Sequence, residues 1–143
     1  MILWIERALA LAIHDRQLAE HGGVPGVRDE NLLASALARP QQLLHYGEPP
    51  PDLADLAATL AFGMACNRPF VDGNKRAAYA VCRVFLALNG EELVAPAEDK
   101  YLSILAVAEG RMQVEEYAAW LRKHSVRDGP DQVQEPRPAY RRA

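Results

Sequence analysis

The sequence predicts an all-α fold, and three observations carry that prediction. Apolar residues recur with helical spacing through most of the 143 residues. Gly, Pro, Asp and Asn fall where those stretches would start and stop. No alternating apolar–polar run of useful length argues for a sheet. Half of the residues are hydrophobic, and a chain of this size buries about 68–70% of its unfolded surface. One domain with a real core follows, with no need of disulfide or metal staples. The net charge of −3 gives no general drive towards nucleic acid or an anionic membrane.

The first helix is expected over residues 3–21, with Ile5, Leu9, Ala12 and Ile13 on one side and Gly22-Gly23 ending it. His14 lies in its middle, where a hydrogen-bonded core or rim histidine is commoner than a catalyst. A turn-rich connector follows from His21 to Asp29. Asp29 then caps a helix through Leu32, Leu33, Ala36 and Leu37, expected to stop before Pro40. Residues 41–51 read as a loop or short helical turn ending in three prolines.

Asp52 and Asp55 form a short-armed relative of the capping box. The helix they start is lined by Leu53, Leu56, Ala57, Leu60, Ala61 and Met64, and its alanines predict close contact with neighbouring helices. It is therefore expected at the centre. A second apolar helix runs from residue 74 to Leu88 and closes at Asn89-Gly90. Glu92-Leu93-Val94 is a short extended piece at best, followed by helices over about 97–108 and 114–123. From Val126 apolar side chains nearly vanish, so the domain is expected over 1–125 with a polar Pro/Arg-containing tail over 126–143.

Cys66 and Cys82 read as buried free thiols rather than a redox pair. The four histidines are scattered without zinc spacing. No signal-peptide pattern and no membrane-length apolar run is present, which points to a cytoplasmic protein.

The chemistry concentrates in Arg68-Pro69-Phe70-Val71-Asp72-Gly73-Asn74-Lys75-Arg76, a loop running into a helix. Residues 68–83 hold Arg68, Lys75, Arg76 and Arg83 against Asp72 alone. Unpaired N–H groups at a helix start, with the positive end of its dipole, suit phosphate. Gly73 permits close backbone approach, Lys75 and Arg76 add charge, and Asp72 is placed to hold a magnesium ion carried by a nucleotide. The same residues are also compatible with an ordinary turn and a solvated helix start. Neither a Walker A loop nor a Rossmann fingerprint is present.

This stretch resembles the signature of the Fic/Doc family, His-x-Phe-x-Asp-Gly/Ala-Asn-Lys-Arg. It is most similar to that of the death-on-curing toxins of bacterial toxin–antitoxin modules. Ile13-His14-Asp15, the run from His21 to Asp29, Leu33 to Pro40, and Phe85 to Gly90 are also similar to such toxins. The resemblance covers about residues 3–124.

It implies a compact Fic-type helical bundle with the motif loop between two central helices. It further implies a kinase that uses ATP and Mg2+, transfers the γ-phosphate to a threonine of elongation factor Tu and halts translation. Fic proteins proper carry Gly-Asn-Gly-Arg and transfer AMP; lysine at the second glycine, here Lys75, marks the kinase type. By the same resemblance Asp72 binds magnesium, and Phe70, Gly73, Asn74, Lys75 and Arg76 serve ATP and phosphate binding. A small antitoxin acting in trans is implied, because Leu105 stands where an inhibitory helix ending in Glu109-Gly110 would need a hydroxyl. Tyr101, Tyr117 and Trp120 are candidate lining for its groove, although such residues are more often core.

One departure matters. The family's motif histidine is the general base, and here Arg68 takes its place. A guanidinium keeps its proton at any workable pH. The chain therefore reads as a catalytically impaired member; the alternatives are an AMP transferase or a non-catalytic protein that binds nucleotide or antitoxin. Retention of Asp72 through Arg76 favours a histidine-to-arginine change that permits production of a toxic chain over a natural relic.

Overall fold

The computed structural model describes residues 1–127. It contains α1 (Arg7–His21), α2 (Glu30–Tyr46), α3 (Leu53–Asn67), α4 (Asn74–Leu88), β1 (Glu91–Leu93), α5 (Ala97–Ala108), α6 (Val114–His124) and β2 (Ser125–Arg127). The fold is all-α, as its sequence implies. No helix among the described residues is long and apolar enough to cross a membrane. Most of the segment expected as a tail, from residue 128 onward, lies outside the described residues.

α3 is the central helix and touches α2, α4, α5 and α6. Its small side chains explain why. Ala57, Ala58 and Ala61 are fully buried, and a Cβ on Gly63 would come within 3.3 Å of the Cα of Ala36 on α2. Only small residues allow that approach. α4 lies against α3 through Ala77, Ala78, Val81 and Phe85, all fully buried.

Three boundaries differ from expectation. α2 does not stop before Pro40 but carries that residue, buried, to Tyr46. Proline inside a helix leaves one carbonyl without its donor and costs about 3 kcal/mol or more. Burial of Leu33, Ala36 and Leu37, with Leu43 packed beyond them, offsets this. α1 begins at Arg7 because Leu3 is already tied to the end of α4: its N–H donates to Asn89 Oδ1 at 2.8 Å and its carbonyl accepts from Asn89 Nδ2 at 2.9 Å. β1 pairs antiparallel with β2, Glu91 opposite Arg127 and Leu93 opposite Ser125. That pairing straddles the boundary expected at residue 125, and a local reading of either strand could not reveal it. The thiols also divide: Cys82 is buried as expected, whereas Cys66 is exposed.

The start of α3 is fastened twice. Asp52 Oδ1 accepts from Asp55 N–H and Asp55 Oδ2 accepts from Asp52 N–H, both at 2.9 Å. Arg122 on α6 then donates to both oxygens of Asp52, at 2.7 and 3.0 Å. The Arg122 guanidinium, with help from Asp55, draws the Asp52 carboxyl from its ordinary 3.8 down to about 2. The side chains are about half exposed, 49% and 53%, so screening holds the pair to roughly 0.2–1 kcal/mol.

Because the folded-state value is depressed, this contribution is present above about pH 3.8 and is lost as pH falls towards 2. Asp52→Asn keeps a good cap but removes the charge. Thermal melts should show the variant less stable by roughly 0.2–1 kcal/mol at pH 7 and indistinguishable from the parent near pH 2.

Candidate active site

α3 ends at Asn67 and α4 begins at Asn74, so the motif loop spans the junction of the two central helices. Arg68 terminates α3 in the left-handed region, φ 51° and ψ 59°, with its N–H on the Met64 carbonyl at 3.2 Å. It is the one non-glycine residue with positive φ among those described.

The connector between α1 and α2 holds the loop from one side. Val71 N–H donates to Gly26 O at 3.0 Å, and the N–H groups of Arg28 and Asp29 donate to Pro69 O at 2.7 and 3.1 Å. The Arg28 side chain donates through Nε to Arg68 O and through Nη2 to Asn67 O, both at 2.8 Å. A guanidinium on the last carbonyls of α3 is also favoured by the helix dipole.

From within, Phe70 anchors the loop. It is 1% exposed. Its N–H donates to Asn74 Oδ1 at 2.9 Å and its carbonyl accepts from Asn74 Nδ2 at 3.0 Å. The His14 ring lies flat on the Phe70 ring, with centroids 3.8 Å apart and planes 5° apart. His14 Nε2 donates to the main-chain oxygen of Asp72 at 2.8 Å.

Asp72 is exposed, yet its carboxylate is held. Oδ2 accepts from Val24 N–H at 3.0 Å and Oδ1 from Gly73 N–H at 2.9 Å. Those two amides, Val24 before Gly73, hold the carboxyl below the usual carboxylate range, and the Arg76 charge adds to the effect. Each oxygen retains acceptor capacity, so the group fits a hard divalent cation. Among the described residues no group of three or more His, Cys, Asp or Glu side chains gathers.

Gly73, at φ 73°, starts α4 without a side-chain cap. α1 and α5 also start without one, whereas α2 and α3 are capped by Asp29 and Asp52; what sets α4 apart is that its start faces the motif loop and its cations. The N–H groups of Asn74, Lys75 and Arg76 have no acceptor among the described residues. They open onto a cleft of about 960 Å³ between the end of α1, the loop, α4 and α5. Arg68, Lys75, Arg76, Arg83 and Lys100 line it, none in an ion pair among the described residues. The acids Glu20 and Glu109 in its wall are matched by Arg16 and Arg111. Unpaired donors and unpaired cations converging on one acid suit a polyphosphate with its metal.

Of the residues expected at the site, the structure brings Arg68, Asp72, Gly73, Asn74, Lys75 and Arg76 to one cleft wall. Phe70 is not among them: it belongs to the core, where it shapes the loop. The Asn74 side chain is spent on Phe70, leaving only its N–H for a ligand. Tyr101 lines the cleft and is exposed, whereas Tyr117 is fully buried and Trp120 packs against the core. His21 is the imidazole in the cleft wall.

Sequence reasoning missed the clamp formed by Val24, Gly26 and Arg28, and the bond made by His14. The partners lie 58 residues apart for His14 and 40 for Arg28. Only the density of glycines in the connector hinted at it. Gly23 has φ 132°, and a Cβ there would meet Leu18 Cδ2 at 2.8 Å and Asp72 Oδ2 at 3.0 Å. Gly23→Ala should cost roughly 1–3 kcal/mol in denaturant unfolding. It should also speed hydrogen exchange at Val24 N–H as the Asp72 carboxylate is pushed away.

The Fic/DOC family model matches residues 4–86, more than half of the chain and the whole of the motif loop. The chain belongs to the Fic/Doc family. It is 46% identical over 74 residues to a protein named Toxin Doc of Mycolicibacterium smegmatis, covering 52% of this chain and 57% of that relative. It is 32% identical over 113 residues to the Protein kinase doc of Escherichia phage P1, covering 79% of this chain and 88% of the phage protein. The match to the mycobacterial toxin thus spans little more than half of that protein's length, while the match to the phage kinase takes in nearly all of it.

Proposed function

We propose that this chain is a toxin of the death-on-curing type, built to transfer the γ-phosphate of ATP to a hydroxyl of a protein substrate and impaired in that step by Arg68. The observation that carries the reading is the start of α4, which has no side-chain cap and opens beside Asp72 onto a cleft whose cations have no ion-pair partner among the described residues. Lys75 and Arg76 would bind phosphate oxygens, and the N–H groups of Asn74, Lys75 and Arg76 would orient them. Bound with ATP, magnesium supplies charge neutralisation at the phosphates, and Asp72 is the side chain that would hold it.

Arg68 sits where the family's signature places histidine. A guanidinium can bind phosphate but takes no proton from an incoming hydroxyl. Tyr79, also in the cleft wall, is no substitute, because burial pushes its phenol up to about 12. Elongation factor Tu is the proposed substrate, on family resemblance, and a small antitoxin binding in trans is the proposed partner. One relative is named as a toxin and the other as a protein kinase.

Incubating elongation factor Tu with γ-labelled and with α-labelled ATP, using both the chain and Arg68→His, tests the reading. Label from the γ position supports phosphate transfer. Label from the α position would replace it with AMP transfer. ATP binding without either label in the histidine variant would leave a nucleotide-binding protein without chemistry.

A further inference from the structure

His14 is 2% exposed and does not line the cleft, yet it is bonded to the backbone of the residue proposed to hold the metal. A carbonyl only accepts, so its bond to Asp72 O fixes the tautomer of His14 with the proton on Nε2. The ring cannot swing away freely, being stacked on Phe70, which Asn74 pins at both its N–H and its carbonyl.

The Asp72–Gly73 peptide is trans and planar. With its carbonyl turned inward to His14, its N–H points the opposite way, where it donates to Asp72 Oδ1. A flipped plane would present an oxygen to the cleft and release one arm of the carboxylate. Glycine at 73 offers little local resistance to such a flip, because it populates many backbone conformations. Something outside the loop has to hold the plane.

We infer that His14 is a positioning residue of the anion site: by holding the Asp72 carbonyl towards the interior, it keeps the Gly73 N–H on Asp72 Oδ1 and thereby the carboxylate arranged to receive a metal-bound polyphosphate. This rests on the nucleotide-binding reading given above.

The test is calorimetric titration of the full chain with ATP and magnesium, beside His14→Phe and His14→Gln. Phenylalanine keeps a ring on Phe70 without a donor; glutamine restores a donor at similar reach. Loss of one hydrogen bond of this kind should weaken binding about tenfold in His14→Phe, with His14→Gln within about threefold of the parent. A folded His14→Phe that binds like the parent would overturn the positioning role alone. A parent chain that does not bind ATP removes the nucleotide reading and this inference with it.

Should His14→Phe not fold, nitrogen-edited NMR of the unaltered chain decides. The expected result is a slowly exchanging His14 Nε2–H in the free chain and a shifted Gly73 amide on addition of ATP and magnesium. A ring protonated only at Nδ1, or an unmoved Gly73 amide in the ATP-saturated chain, would sink it.

Discussion

Replacing Arg68 with histidine is expected to raise γ-phosphate transfer to elongation factor Tu by about 10²–10⁴, the usual contribution of a general base. The backbone at this position is fixed by other groups. Its N–H is on Met64 O and its carbonyl receives Arg28 Nε, while the Arg68 side chain is exposed and has no ion-pair partner among the described residues. Histidine also tolerates the left-handed conformation better than most residues. The exchange should therefore leave the melting temperature nearly unchanged, so that altered transfer reports on the site and not on folding. Labelled-phosphate incorporation and growth arrest on induction check it. A folded histidine variant that binds ATP but transfers nothing would remove the phosphotransferase reading.

Phe70→Ala is expected to cost about 3–5 kcal/mol of unfolding free energy, a large part of the roughly 5–15 kcal/mol that a domain possesses. The size of the effect follows from burial: 1% exposure and a ring face covered by His14. Lys75→Ala and Arg76→Ala, at exposed positions, should stay within about 0.5 kcal/mol of the parent in stability while weakening ATP binding. Urea unfolding and ATP titration of the three variants separate a residue that builds the loop from residues that meet the ligand. A stable Phe70→Ala that had lost only ATP affinity would return Phe70 to the ligand-contacting set.

The contrast between Phe70 and Lys75 marks how much the sequence could tell. Elements set by local chemistry were legible: Asp29 and Asp52 cap where they should, and α3 and α4 run between the breaks their residues predict. The charged side of the cleft was legible for the same reason, since Lys75, Arg76 and Arg83 lie on one helix beside Asp72. What failed depends on partners distant in the chain. Pro40 continues α2 because packing on α3 outweighs its local penalty. β1 finds β2 across α5 and α6. The aromatic ring of the motif resembles a ligand contact in sequence, and only the fold turns it inward on to His14.

The bare start of α4 has a thermodynamic consequence. A helix that lacks its own cap leaves the folded chain with an unfilled demand, which an anion in the cleft would satisfy only while the chain is folded. Occupancy and folding are then linked: a ligand at a hundred times its dissociation constant adds about 2.7 kcal/mol to stability. For a domain of this size, that is a rise of roughly 10 °C in melting temperature. Heat resistance becomes a gauge of the cleft, able to rank polyphosphates, nucleotides and antitoxin segments against one another without any reaction being run.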